Sequence, residues 1–112
     1  MGDYGERLAE RLLVGQGMTV LERRWRCRQG EIDIVALDGS CLVVCEVKTR
    51  RSTGAGVPFE AVTPARVARL RRLAAAWLAE QDERFEAVRI DVVGVVIPRR
   101  GGPVVEHLRA VA

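Results

Sequence analysis

Apolar residues recur along this chain with two different periods. From residue 3 to 15 they fall at Leu8, Ala9, Leu12 and Leu13, the spacing of one helical face. Asp3 can cap that helix, and Gly15 and Gly17 stop it. Residues 18–28 read as a strand carrying Val20, Leu21 and Trp25, broken at Gln29-Gly30. Residues 31–37 alternate, Asp38-Gly39 signals a hairpin turn, and residues 40–49 form the returning strand. Two glycines among small polar residues predict a loop over 51–57. Thr63-Pro64 opens a second helix, with Thr as cap and Pro in the first turn. Its buried stripe is Val67, Leu70, Ala74, Trp77 and Leu78. Residues 88–97 read as a buried apolar strand, 98–103 as a turn, and 104–109 as a short edge strand. The predicted order is αβββαβ(β). Layer rules make this an α/β fold, with a mixed central sheet flanked by helices in a single domain over residues 1–112.

Composition narrows the class. Of 112 residues, 48% are hydrophobic and 29% charged, as in an ordinary globular domain. Net charge is +3 with a pI near 9.1, compatible with a polyanionic partner. The positive residues cluster at Arg23, Arg24, Arg26 and Arg28, at Lys48, Arg50 and Arg51, and at Arg66, Arg69, Arg71 and Arg72. Each cluster also reads simply as a solvated face. Cys27, Cys41 and Cys45 are odd in number and lack CxxC spacing. On a strand Cys41 and Cys45 lie roughly 13 Å apart, so they neither bridge nor share a zinc unaided. The first residues lack an apolar signal segment, and no run approaches the roughly 20 apolar residues of a membrane span. A cytoplasmic protein away from membranes is expected. Aromatic content of 4% disfavours a single-strand binder built on base stacking.

Chemistry concentrates in the hairpin. With Asp38-Gly39 as the loop, Asp33 pairs with Val44 and Glu31 with Glu46. Glu31 and Asp33 then share a face with Glu46 and Lys48. Asp33 and Glu46 become diagonal neighbours, roughly 7–8 Å apart along the backbone. Like charges so placed are costly without a counter-charge. A divalent cation reverses that cost: Mg²⁺ takes oxygen ligands, commonly one or two carboxylates plus waters and phosphate. Lys48 is the single lysine in a chain with seventeen arginines. Its compact ammonium suits orienting a water or stabilising charge at a phosphate, where a delocalised guanidinium does not. Polar alternation on a half-solvated hairpin explains the same residues without any site.

The pattern Asp33…Glu46-Val47-Lys48 resembles the core of the PD-(D/E)XK nucleases. "YGERLAERLL", "GEIDIVALDG", "LVVCEVKTRR", "AVTPARVARLRRLAAAWL" and "VRIDVVGV", in this order, resemble the YraN-like family of uncharacterised bacterial proteins over nearly the whole chain. More distantly the chain is similar to archaeal Holliday junction resolvases. The resemblance implies a restriction-endonuclease-like fold. It implies Asp33 and Glu46 as Mg²⁺ ligands, with Mn²⁺ as a substitute, and Lys48 as the catalytic lysine. Glu6 matches the first-helix glutamate that completes the metal site in resolvase-like members. It lies in line with Ala9 and Leu13, so it can face the sheet; a solvated helix acid is the other reading. Glu31, in the GEID stretch, is by the same resemblance a third metal carboxylate or a supporting one. Asp91 sits where the family has Arg-Phe-Asp, and its alternation with Arg89 also reads as a structural ion pair. Arg66 replaces a common Lys, and Ile90 replaces the usual Phe.

Two functional expectations follow. One is a Mg²⁺-dependent endonuclease on structured or branched DNA, with Arg50, Arg51, Arg66 and Arg69 on phosphates. RNA is an alternative substrate, and a homodimer is compatible with cutting two strands. The other is a non-catalytic nucleic-acid-binding or adaptor protein that keeps the fold.

Overall fold

The computed structural model describes residues 2–51 and 62–112. Helix α1 spans Gly2–Gly15; strands β1, β2 and β3 span Thr19–Cys27, Gly30–Asp38 and Cys41–Arg51. Helix α2 is Pro64–Ala79, followed by β4 at Ala87–Ile97 and β5 at Val104–Leu108. The five strands form one sheet in the order β1-β2-β3-β4-β5. Only the β3–β4 pair is parallel, bridged by α2 as a crossover; the other pairs are antiparallel. This is the expected order and the expected mixed sheet, compatible with a restriction-endonuclease-like fold. The predicted loop over 51–57 lies outside the described residues from 52 onward. Arg51 itself ends β3, because the parallel ladder continues through Arg50↔Val96 and Arg51↔Ile97. Among the described residues no helix is long and apolar enough to cross a membrane.

Each helix seals one face of the sheet. On the α1 face, Ala9 and Leu13 pack with Ile34, Val43, Cys45 and Val93. On the α2 face, Leu70, Leu73 and Trp77 pack with Ile32, Val44 and Ile90. Thr63 caps α2 by accepting the Arg66 N–H, as Thr63-Pro64 predicts. Strands β3 and β4 are covered on both sides, which is why they read as near-continuous apolar runs.

The hairpin differs from the expected pairing in register. Asp38 pairs with Cys41 and Ile34 with Cys45, so the loop is Gly39-Ser40. Gly39 has φ +62° and Ser40 a negative φ, the order that a type II′ turn demands. Asp38, assigned to the turn by sequence, stays in the strand. The shift is by two positions, so the slip by itself moves no side chain to the other face. It does change the relation of the key acids: Asp33 is level with Glu46 rather than diagonal to it.

Alternation breaks at Asp33. Ile34 packs on the α1 face and Ile32 on the α2 face, although residues two apart on a regular strand share a face. Across the pair, Arg24 lies between the Arg23↔Ile34 and Trp25↔Ile32 partners, with φ 51°. A left-handed residue in a strand acts like a bulge: it twists the strand and re-aims side chains.

A buried ionic network closes the other end of the sheet. Asp91 is fully buried and takes two bonds from Arg89, at 3.0 and 3.3 Å. It also takes the Ala110 N–H at 2.9 Å and faces His107 Nε2 at 2.7 Å. Arg89 and Arg109 each reach Asp38 at 2.9 Å, tying the hairpin to β4 and the C-terminal segment. Burial raises the Asp91 carboxyl, but the donors from Arg89, Ala110 and His107 outweigh it and hold the group below its ordinary value.

Candidate functional site

The β2–β3 ladder ends at Ile34↔Cys45, while β3 continues against β4 to Arg51. The two strands therefore fork, and Asp33, Glu46 and Lys48 stand at the fork. Asp33 Oδ2 accepts the Val47 N–H at 2.7 Å, so a carboxylate fills the place a ladder carbonyl would have taken. Burial lifts the Asp33 carboxyl above its ordinary value, and Glu46 and Glu31 lift it further. The Val47 bond and the Lys48 charge act in the opposite direction without cancelling the rise. The Lys48 ammonium thus acts on Asp33 across the fork.

Glu46 is buried, and α2 meets it with two arginines. Arg66 Nη1 lies 3.2 Å and Arg69 Nη2 3.4 Å from the same oxygen, Oε1. The sequence reading places these arginines on nucleic-acid phosphates; in the structure they hold the glutamate. Arg50 and Arg51 project at the exposed end of β3, beyond Lys48.

Helix α1 supplies Glu6 from the other side. Gly5 makes that approach possible: a Cβ there would sit 1.9 Å from Thr49 Oγ1, so α1 presses on β3 one residue past Lys48. Glu6 faces the sheet, as its alignment with Ala9 predicts, and it bonds Arg24 at 2.8 Å. Its carboxyl is raised, first by burial and then by Asp33 and Glu31. Glu31 pairs with Arg26 at 3.5 Å. A cleft of about 350 Å³ opens between α1 and β1 beside Glu6, walled by Glu10, Arg23 and Arg24. The pairings of Arg24 and Arg26, and the role of Gly5, are absent from the sequence reading. A glycine inside a helical pattern is the one signal that points to such a close approach.

The donor set suits a hard cation. It consists of carboxylate oxygens, one of them destabilised by like charge, which is the cost that a divalent ion removes. Among the described residues no three Asp, Glu, His or Cys side chains are gathered to hold a metal ion. Asp33 and Glu46 are thus the central pair, and Glu6 and Glu31 flank it in arginine pairs. Two carboxylates with waters meet the usual demand of Mg²⁺.

Residues 5–95 match the model of a family described as "Uncharacterised protein family UPF0102". The chain belongs to the UPF0102 family. This family is the YraN-like family of the sequence resemblance, and it lies in the restriction-endonuclease-like superfamily. A UPF0102 protein of Nocardioides sp. is 59% identical over 111 residues, covering 99% of this chain and 90% of that one. One from Kineococcus radiotolerans is 58% identical, covering 100% and 93%. One from Streptomyces coelicolor is 61% identical, covering 100% and 88%. The UPF0102 match includes every candidate site residue, from Glu6 to Arg69, so the fork lies wholly within the family region.

Proposed function

We propose that this UPF0102 protein is a Mg²⁺-dependent endonuclease that hydrolyses phosphodiester bonds in structured or branched DNA. The observation that supports the reading is the meeting of Asp33, Glu46 and Lys48 where β2 and β3 part, with like charge on Asp33 that a cation would relieve. Asp33 and Glu46 would hold the ion, which when bound supplies Lewis-acid polarisation of the phosphate and a more acidic water. Lys48 orients the attacking water by hydrogen bonding and offsets negative charge as it develops. Arg50, Arg51, Arg66 and Arg69 grip backbone phosphates and set the strand over the fork.

The experiment is cleavage of labelled single-stranded, duplex, flapped and four-way-junction DNA with Mg²⁺, Mn²⁺ or EDTA, using wild type and Lys48→Ala. Metal-dependent cleavage that disappears in Lys48→Ala supports the reading. Cleavage that persists in Lys48→Ala and Asp33→Asn overturns it. A second reading, a non-catalytic nucleic-acid-binding protein, is favoured by the two arginines already seated on Glu46. Salt-dependent DNA binding without any metal binding supports that reading instead.

A further inference from the structure

Three of the four carboxylates around the fork are held by arginines from a neighbouring element. Glu46 differs from Glu6 and Glu31 in being held by two arginines on one oxygen, both from a single turn of α2. The exposures are unequal. The Glu46 side chain is 10% exposed, whereas those of Arg66 and Arg69 are 39% and 45% exposed. The acid is enclosed at the fork, whereas the two arginine side chains stand partly in solvent. Two guanidinium groups on one carboxylate leave an excess positive charge beside it, which repels a divalent ion and attracts a phosphate. Guanidinium also binds phosphate bidentately, so the exchange of one oxyanion for the other conserves its hydrogen bonds.

We infer that Arg66 and Arg69 are an exchangeable clamp that couples metal binding to nucleic-acid binding. Without nucleic acid they close on Glu46 and hold off the ion. A backbone phosphate of a bound polynucleotide draws them away, and Glu46 becomes available as a ligand. The inference rests on the proposed function, since it takes Asp33 and Glu46 as the metal pair and a polynucleotide as the substrate. Coupling of this kind is reciprocal, so the ion tightens nucleic-acid binding by the same factor.

The test is Mn²⁺ binding, followed by the paramagnetic resonance of the free ion, with and without a saturating short DNA duplex. The full-length chain carries Lys48→Ala throughout, so that the duplex is not cut. The duplex is expected to tighten Mn²⁺ binding by roughly 5-fold or more. Adding Arg66→Gln and Arg69→Gln should tighten Mn²⁺ binding without duplex and abolish the response to it. Arg72→Gln, on the same helix and exposed, should leave the duplex-free affinity unchanged. Three outcomes overturn the clamp while leaving the metal pair standing. The duplex has no effect in the parent; or the double arginine variant binds Mn²⁺ no more tightly than the parent; or Arg72→Gln tightens binding as much as the double variant. Absence of Mn²⁺ binding in every protein, with or without duplex, overturns the clamp and the nuclease reading together. Melting by circular dichroism establishes that each variant is folded before it is scored.

Discussion

Gly5→Ala sets two effects of opposite sign against each other. Gly5 lies inside α1, where Ala is normally the better residue by about 0.5–1 kcal/mol. The added Cβ, however, would lie 1.9 Å from Thr49 Oγ1, with Thr49 Cβ at 3.1 Å and Cγ2 at 3.2 Å. Turning the Thr49 side chain does not clear the space, because a branched side chain is stiff at χ1 and its Cβ stays in place. Overpacking of this kind costs about 1–3 kcal/mol. At 1.9 Å the upper part of that range applies, so the net loss is about 1–2 kcal/mol, or a melting temperature lower by roughly 4–12 °C. Gly15→Ala is the control: a Cβ there meets nothing within 4 Å, so the same chemical change should be neutral or stabilising. Thr49→Ala in the Gly5→Ala background removes Oγ1 and Cγ2, and should recover about 0.5 kcal/mol or more in a double-mutant cycle. The assay is thermal and urea unfolding of five proteins: wild type, Gly5→Ala, Thr49→Ala, their double variant and Gly15→Ala. A Gly5→Ala protein that melts at or above wild type, or no coupling to Thr49, would refute the close approach that brings Glu6 to the fork.

Asp91→Ala takes the shared acid from the half-buried Arg89 and His107, leaving Arg89 only Asp38, and should cost about 3 kcal/mol in urea unfolding. Because the Asp91 carboxyl is held below its ordinary value, its contribution is present above about pH 4 and is lost as the pH falls through the lowered value. The Asp33 carboxyl is held above its ordinary value, so the folded chain loses stability as the pH rises from about 4 through that raised value. Asp33→Asn without metal should therefore melt higher than wild type at neutral pH, with the difference closing below about pH 4; a lower melting temperature at neutral pH refutes it. Burial, with Asp91, Asp33 and Glu46 nearby, pushes the Cys45 thiol up. In a timed alkylation, Cys45 should stay unmodified in the folded protein and react on unfolding, and labelling as fast as that of the half-buried Cys41 would contradict its burial.

The fold was legible because its elements announce themselves through local pattern. The Leu8–Leu13 stripe, Thr63-Pro64 and the apolar 88–97 run each carry a period or a cap that needs no tertiary knowledge. The hairpin register was not legible, because Asp38-Gly39 and Gly39-Ser40 are both plausible turns. The choice rests on which residue takes positive φ, and here Gly39 takes it in first place. The two-residue slip keeps parity and leaves Glu46 and Lys48 on the expected face. The break of alternation at Asp33, which puts Ile32 and Ile34 on opposite faces and Glu31 away from Glu46, is a separate departure from the pattern. The arginine partners lay beyond the pattern. Arg24 in the left-handed region and Arg66 facing Glu46 are decided by tertiary approach of helices to the sheet, and nothing in their own neighbourhood marks them.

The two ends of the sheet treat buried acid in opposite ways, and the contrast separates structural chemistry from poised chemistry. Asp91 is satisfied by four donors from three residues, all within one network, and its carboxyl is lowered. Such an acid has no capacity left for a ligand, so its role is to lock Arg89, His107 and the C-terminal segment in place. Among the described residues Asp33 has one backbone donor and three acidic neighbours, and its carboxyl is raised. Raised and lowered carboxylates on one sheet follow from unequal partners rather than from unequal depth, since burial raises both. A group left under-compensated on an otherwise well-paired sheet is where perturbed acids mark function. The under-compensated acid is at the β2–β3 fork and not at the better-buried Asp91, which is why the proposed metal chemistry is assigned to Asp33 and Glu46.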